Sequence, residues 1–204
     1  MIVLHHLRVG RSIFTVWLLE ELELDYELKV YLRGADGRSQ DDIKAATPLG
    51  KSPSIEIDGQ MLTESGAIAA FLADRYDTEN ALSPSREDDV AYANYLRWLH
   101  YPEGSAFVPL IFKLILMRED PKPPIMSAFA EGETALHLGT LEKELSDKPY
   151  ILGDAFQIPD IGISYIVSMA DRLGELGPYP ALQAYWKRNQ ERAAWKRAVE
   201  KAVE

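Results

Sequence analysis

Three short segments in the first third of the chain carry groups that could do chemistry. Lys51-Ser52-Pro53-Ser54 sets a cation and two hydroxyls around a proline. A cis bond ahead of Pro53 would turn the Ser52 backbone outward, leaving its N–H and C=O to pair with an extended, peptide-like ligand. The trans bond usual for X–Pro pairs would make the segment a plain loop end. Thr63-Glu64-Ser65-Gly66 reads as the start of a helix, whose unpaired N–H groups and partial positive charge suit a carboxylate. Glu64 beside it suits an ammonium, so together they would hold the zwitterionic end of an amino acid. Read alone, the same four residues are an N-cap with an acidic neighbour. Residues 7–12 form a turn into the first helix. Its N–H groups and Arg11 would favour a thiolate, because thiol pKa values fall at helix N-termini. The alternative is an ordinary β-to-α turn eased by Gly10.

The elements that must position these segments follow from the hydrophobic pattern. Residues 2–4 are a short apolar run suited to a buried strand, and residues 12–22 follow as a helix with Ile13, Val16 and Trp17 on its apolar face. Tyr26, Leu28 and Val30 alternate with Glu27 and Lys29, the period of a half-buried strand. A loop at 34–37 and a short helix over 41–46 lead to a strand at 54–57. Asp58-Gly59 is a two-residue hairpin signal, with 60–62 returning and a helix from 65 to 76. The order is βαβ, helix, ββα. Residues 77–85 turn polar, and everything beyond reads as helix. Pro102 and Pro109 interrupt the pattern over 86–117, where a bend or break is expected. Residues 127–145 are helical, and 158–173 are apolar almost all round, as in a helix buried in a bundle. Two short helices finish the chain, and Glu191-Arg192 with Lys196 to Glu204 read as an exposed amphipathic tail. Glu20, Glu21 and Glu23 read as one solvated helix end.

Composition removes several classes of function. A formal net charge of −10 over 204 residues disfavours a nucleic-acid partner or an anionic membrane surface. The absence of Cys excludes disulfides, thiolate metal sites and a cysteine nucleophile. His5, His6, His100 and His137 lack the i, i+4 pairing of a helical metal site, so no metal is expected. No apolar run of about 18 residues suggests a membrane span, and the opening residues read as a strand, not a leader. A cytoplasmic location is the expectation.

Taken in order, the motifs resemble the cytosolic glutathione transferase family. The likeness rests on Trp17-Leu18-Leu19-Glu20-Glu21-Leu22 with Asp25-Tyr26-Glu27, on Pro48-Leu49-Gly50-Lys51-Ser52-Pro53, and on Leu62-Thr63-Glu64-Ser65-Gly66-Ala67-Ile68. It continues in His100-Tyr101-Pro102-Glu103-Gly104-Ser105, similar to a microbial branch, and in Tyr150-Ile151-Leu152-Gly153-Asp154 with Pro159-Asp160-Ile161. It implies a fold of α/β plus all-α type: a thioredoxin-like domain over 1–78, then an all-helical domain over 86–204 that contributes the electrophile pocket. It also implies a cis Pro53, with the Ser52 backbone pairing the cysteinyl part of glutathione. Glu64 and Ser65 would hold the γ-glutamyl end, and Lys51 would lie near the glycine carboxylate. The co-substrate is glutathione, no metal is involved, and a two-fold homodimer is expected.

The activity so implied is attack by the glutathione thiolate on a hydrophobic electrophile, by conjugation or by reduction. Gly10, Tyr101, Ser105 and Phe107 are the expected electrophile pocket. The alternative is a non-catalytic glutathione-binding or scaffold protein of the same fold, and one departure favours it. Gly10 stands where many relatives carry a catalytic Ser, and His5 and His6 stand where tyrosine-type relatives carry Tyr. The order of candidates for stabilising the thiolate is therefore the Ser12 hydroxyl or turn N–H groups, then Arg11, then Tyr101. Two further departures concern stability. Glu23 replaces a Gly after the first helix, and Gln157 replaces a better-capping Ser or Thr three residues before Asp160. Asp160 can still reach back to the Gln157 N–H.

Overall fold

A computed structural model describes residues 1–203. The chain divides into two compact units: Met1–Ala81 together with the C-terminal stretch from Gln190, and Leu82–Asn189.

The first unit is built on a four-stranded mixed sheet in the order β2-β1-β3-β4. Strand β1 (Ile2–Leu7) runs parallel to β2 (Tyr26–Tyr31) and antiparallel to β3 (Ser54–Ile57), and β3 runs antiparallel to β4 (Gln60–Thr63). All six residues of β1 are buried, as a central strand requires. Asp58 and Gly59 both take positive φ, 50° and 76°, the backbone that a two-residue primed turn needs. Helices α1 (Ser12–Glu21), α2 (Asp41–Ala46) and α3 (Ser65–Tyr76) complete the βαβ, helix, ββα order. This is the thioredoxin-like arrangement that the sequence implied.

Helix α1 differs from its sequence reading in one respect. It is buried on nearly every side, from Ser12 through Glu20. Its composition explains this: SIFTVWLLEE is apolar all round, so a single covered face would leave large side chains in water. The cover is α9 (Ala193–Ala202), which the sequence reading left as an exposed tail. Ala194, Ala198 and Ala202, four residues apart, are buried against the unit and let the two helices approach closely. The Trp195 ring lies 5.1 Å from Trp17 and 5.5 Å from Phe14.

The expectation that Glu20 and Glu21 are solvated is likewise corrected. The Glu20 side chain is 6% exposed and accepts from Tyr26 Oη at 2.7 Å, Arg197 Nε at 2.8 Å and Lys201 Nζ. Glu21 accepts from Trp17 Nε1 at 2.7 Å and takes the Arg192 guanidinium in a fork at 2.6 and 2.8 Å. The cations belong to α9 and the turn before it, more than 170 residues away in sequence, so no local pattern pointed to them.

The second unit is all helical: α4 (Asp89–Tyr101), α5 (Phe107–Leu116), α6 (Pro124–Glu144), α7 (Ile158–Arg172) and α8 (Pro180–Gln190). Between α4 and α5 the chain makes a π turn, Pro102–Ala106, in which the Phe107 N–H reaches the Pro102 carbonyl. Proline lacks the N–H for the ordinary ladder, and the wider turn is the bend expected there. Gly162 in α7 packs on this bend, since a Cβ there would lie 2.9 Å from Pro102 Cγ. Helix α7 begins as the sequence suggested. Asp160 Oδ2 accepts from the Gln157 N–H at 2.9 Å, and Oδ1 from the Ile151 N–H at 2.9 Å. The Gln157 side-chain oxygen is buried without a hydrogen bond.

Candidate functional site

The strand registers bring the three chemically interesting segments to one end of the sheet. Ser54 pairs with both His5 and Thr63. Ser52 and Pro53 therefore precede β3 at the same edge where Glu64 and Ser65 follow β4. The turn over residues 7–12 leaves β1 there too. All three belong to the first unit.

The Ser52–Pro53 bond is cis. The Ser52 hydroxyl takes over the outward pairing of β1, accepting from the Leu7 N–H at 3.0 Å and donating to the His5 carbonyl at 2.7 Å. Ser52's own N–H and C=O make no hydrogen bond among the described residues. Such groups are what an added strand would use. Lys51 is exposed and joins no ion pair among the described residues.

Glu64 precedes α3 with φ 70° and ψ 116°, a conformation that L side chains rarely adopt. Its carboxylate is exposed, and neither it nor the Ser65 hydroxyl has a hydrogen-bond partner among the described residues. Strain of this kind costs about 1–3 kcal/mol and persists where the surrounding structure enforces it, often at ligand sites. One helix N-terminus, one carboxylate and one ammonium thus stand uncommitted around an unpaired strip of backbone.

The first turn is arranged differently from its sequence reading. Ser12, the first-choice hydroxyl, is fully buried. Its Oγ meets His6 Nδ1 at 2.8 Å and the Leu7 carbonyl at 3.4 Å. That hydroxyl is turned into the core because the imidazole of His6, on the strand just before the turn, offers it a buried partner. Arg11 is half-buried at the helix start, and Val9 takes a positive φ of 57°. Gly10 is confined: a Cβ there would lie 2.9 Å from the Leu7 carbonyl oxygen and 3.1 Å from Arg33 Nη2. Arg33 is a residue that sequence reasoning missed. It lies two positions beyond β2 in a stretch without periodicity, and its guanidinium reaches the Arg8, Val9 and Gly37 carbonyls.

In the second unit, Tyr101 and Phe107 flank the π turn and Ser105 lies within it. Tyr101 Oη and His137 Nδ1 are 2.7 Å apart, with their rings edge to face at 5.5 Å. Burial pushes the Tyr101 hydroxyl up to about 12 and pulls the His137 imidazole below its ordinary value, Glu133 partly opposing the latter. The Phe107 ring packs on Tyr165 at 5.3 Å. Among the described residues no three His, Cys, Asp or Glu side chains cluster as a metal site. His5 instead bridges Tyr31 Oη at 2.8 Å and Glu56 at 2.6 Å. No helix among the described residues is long and apolar enough to cross a membrane.

Known proteins share this architecture. The family model described as glutathione S-transferase, N-terminal domain, matches residues 1–74, and that of the C-terminal domain matches residues 107–193. Glutathione S-transferase 3 of Schizosaccharomyces pombe is 33% identical over 218 residues, spanning 98% of this chain and 88% of that protein. A crystal structure of a glutathione S-transferase from Actinobacillus pleuropneumoniae superposes with a TM-score of 0.91 at 33% identity, covering 100% of this chain and 93% of that one. A sphingomonad glutathione S-transferase complexed with glutathione superposes with a TM-score of 0.79 at 25% identity, covering 98% of each chain.

Proposed function

Since the chain belongs to the glutathione S-transferase family, we propose that it is a glutathione transferase whose co-substrate lies along the β3 end of the sheet. The observation that carries the reading is the unpaired Ser52 backbone, flanked by the uncommitted side chains of Lys51, Glu64 and Ser65. Glutathione offers a matching inventory. Its cysteinyl backbone would pair with Ser52 as an added strand. Its γ-glutamyl carboxylate would accept from the Ser65 hydroxyl and the N-terminus of α3, its ammonium would face Glu64, and its glycine carboxylate would face Lys51.

So held, the sulfur lies toward the turn over residues 7–12. An ordinary thiol titrates near 8.5 and is mostly protonated at neutral pH. The turn's N–H groups and Arg11 favour the charged form; the Ser12 hydroxyl is spoken for by His6 and Leu7. The thiolate then donates an electron pair to the electrophile, forming a C–S bond as the leaving group departs with its pair, and the thiol proton goes to water. Tyr101, Ser105 and Phe107 of the second unit are assigned to electrophile selection. The family pattern extends the proposal to a two-fold homodimer in the cytoplasm.

Calorimetric titration with glutathione, followed by thiolate absorbance of the complex against pH and turnover of a generic aryl halide, tests the proposal. Binding with a lowered thiol pKa and turnover is expected. No heat of binding would overturn it. A second reading, a glutathione binder without catalysis, is favoured by the inward-facing Ser12 and by Gly10. Binding with the thiol pKa of free glutathione and no turnover would leave that reading standing.

A further inference from the structure

Residue 10 carries no side chain, and the structure shows what fills the space beside it. A Cβ at Gly10 would lie 3.1 Å from Arg33 Nη2. The guanidinium thus occupies the space into which a side chain at residue 10 would grow. We propose that Arg33 is a thiolate-stabilising group, its cationic fork standing in the space beside residue 10 at the turn; this rests on the glutathione reading above.

Three features of Arg33 support the assignment. Its hydrogen bonds go to main-chain carbonyls alone: Nε donates to Arg8 O and Val9 O, both at 3.2 Å, Nη2 to Val9 O at 3.0 Å, and Nη1 to Gly37 O at 3.1 Å. A guanidinium has five N–H groups, so one on each terminal nitrogen is left over. No carboxylate among the described residues pairs with it. Asp36, the acidic residue of its own loop, is turned to the Arg38 N–H at 2.9 Å. An exposed but immobilised cation, tied down by carbonyls and not neutralised, is suited to a developing anion. Arg33 also braces the turn itself, since the carbonyls it holds are those of Arg8 and Val9, directly ahead of Gly10. Arg8 and Arg11 add positive charge from the turn, and Arg38 from the loop beyond β2. Arg33 alone meets the space at residue 10.

The test separates charge from bracing. Arg33→Gln and Arg33→Lys both lose the planar fork, but only the lysine keeps the charge. Thiolate absorbance of bound glutathione against pH should place the wild-type thiol below that of free glutathione. Arg33→Gln should raise it by about one unit or more, the size expected for loss of a nearby opposite charge. Arg33→Lys should stay within about half a unit of the wild type. Aryl-halide turnover by Arg33→Gln should fall about tenfold at pH 6.5. That gap should close as pH rises and the thiolate forms unaided. Identical thiol pKa values in all three proteins, each still binding glutathione, would overturn the assignment and leave the glutathione reading intact. So would a turnover loss equal at every pH, or equal shifts in the Gln and Lys variants. Failure of the wild type to bind glutathione would overturn both.

Discussion

The C-terminal helix is tied to α1 through Glu20 as well as by packing, and removing one charge there should loosen it in a pH-dependent way. Glu20→Gln keeps the shape and one acceptor oxygen. Hydrogen bonds to a charged group contribute about 1.5–3 kcal/mol and neutral ones about 0.5–1.5 kcal/mol, so each bond loses on the order of 1 kcal/mol. The Tyr26 bond is part-buried and counts in full. The Lys201 side chain is 51% exposed, and solvent discounts its share. The Arg197 end is solvated and adds little. The sum is about 1–2 kcal/mol. At roughly 2–4 °C per kcal/mol for a chain of this size, Tm should drop by about 2–8 °C at pH 7. The sign of the pH dependence follows from the carboxyl. Burial alone would raise its pKa, but hydrogen bonds from Lys201, Tyr26 and Arg197 outweigh burial and hold it below its ordinary value of 4.5. The unfolded chain therefore takes up the proton first as pH falls. The stabilisation is complete above the ordinary value and is lost as pH drops through the depressed folded value. Calorimetric scans of both proteins from pH 7 to pH 3 should show a constant difference down to about pH 5, shrinking below it. A difference absent at pH 7, or undiminished at pH 3, would refute the reasoning.

Three other outcomes follow from particular geometries. Ser65→Ala should weaken glutathione binding by about 1–3 kcal/mol by removing a charge-assisted bond, measured by isothermal calorimetry; unchanged affinity would dissociate Ser65 from the γ-glutamyl end. Gln157→Ser should stabilise the protein by a few tenths to about 1 kcal/mol, since a short hydroxyl can reach the first-turn N–H groups where the Gln157 oxygen now lies buried without a partner. A melting temperature unchanged or lowered would count against that capping. Gly10→Ala should destabilise by about 1–3 kcal/mol, because the new methyl meets the Leu7 carbonyl at 2.9 Å and something must shift; denaturant midpoints equal to wild type would show that the turn has more room.

Much of this architecture was legible because local signals and global packing agree. The Asp58-Gly59 turn, the proline at 102 and the acidic residue at 160 each dictate their geometry through backbone chemistry alone. Glu23 shows the same logic from the other side. The resemblance implied a Gly there, and its φ of 52° is the left-handed backbone that Gly adopts freely. What stayed hidden was tertiary. Helix α9 buries three alanines, which carry so little hydropathy that the stretch read as an exposed amphipathic tail, while the aromatic burial it supplies comes from Trp195 alone. The clue lay in α1, whose all-round apolar surface demanded a second cover from somewhere in the chain.

The binding half of the site and its chemical half differ in legibility for a physical reason. In the proposed site Lys51, Ser52, Glu64 and Ser65 would act through backbone and charge at element ends, which motif spacing fixes. Stabilising a thiolate depends on where a few donors point. Ser12 was the nearest hydroxyl in sequence, yet its direction is set by His6 on the buried strand beside it. Arg33 was remote in sequence, yet β2 runs parallel to β1, with Leu7 opposite Tyr31, and so delivers it to the turn. Nor can residue 10 be read by itself. The Leu7 carbonyl and Arg33 Nη2 together leave no room for a side chain there. A glycine at 10 and a strapping arginine at 33 are thus one arrangement. A hydroxyl placed at 10 alone would meet the guanidinium.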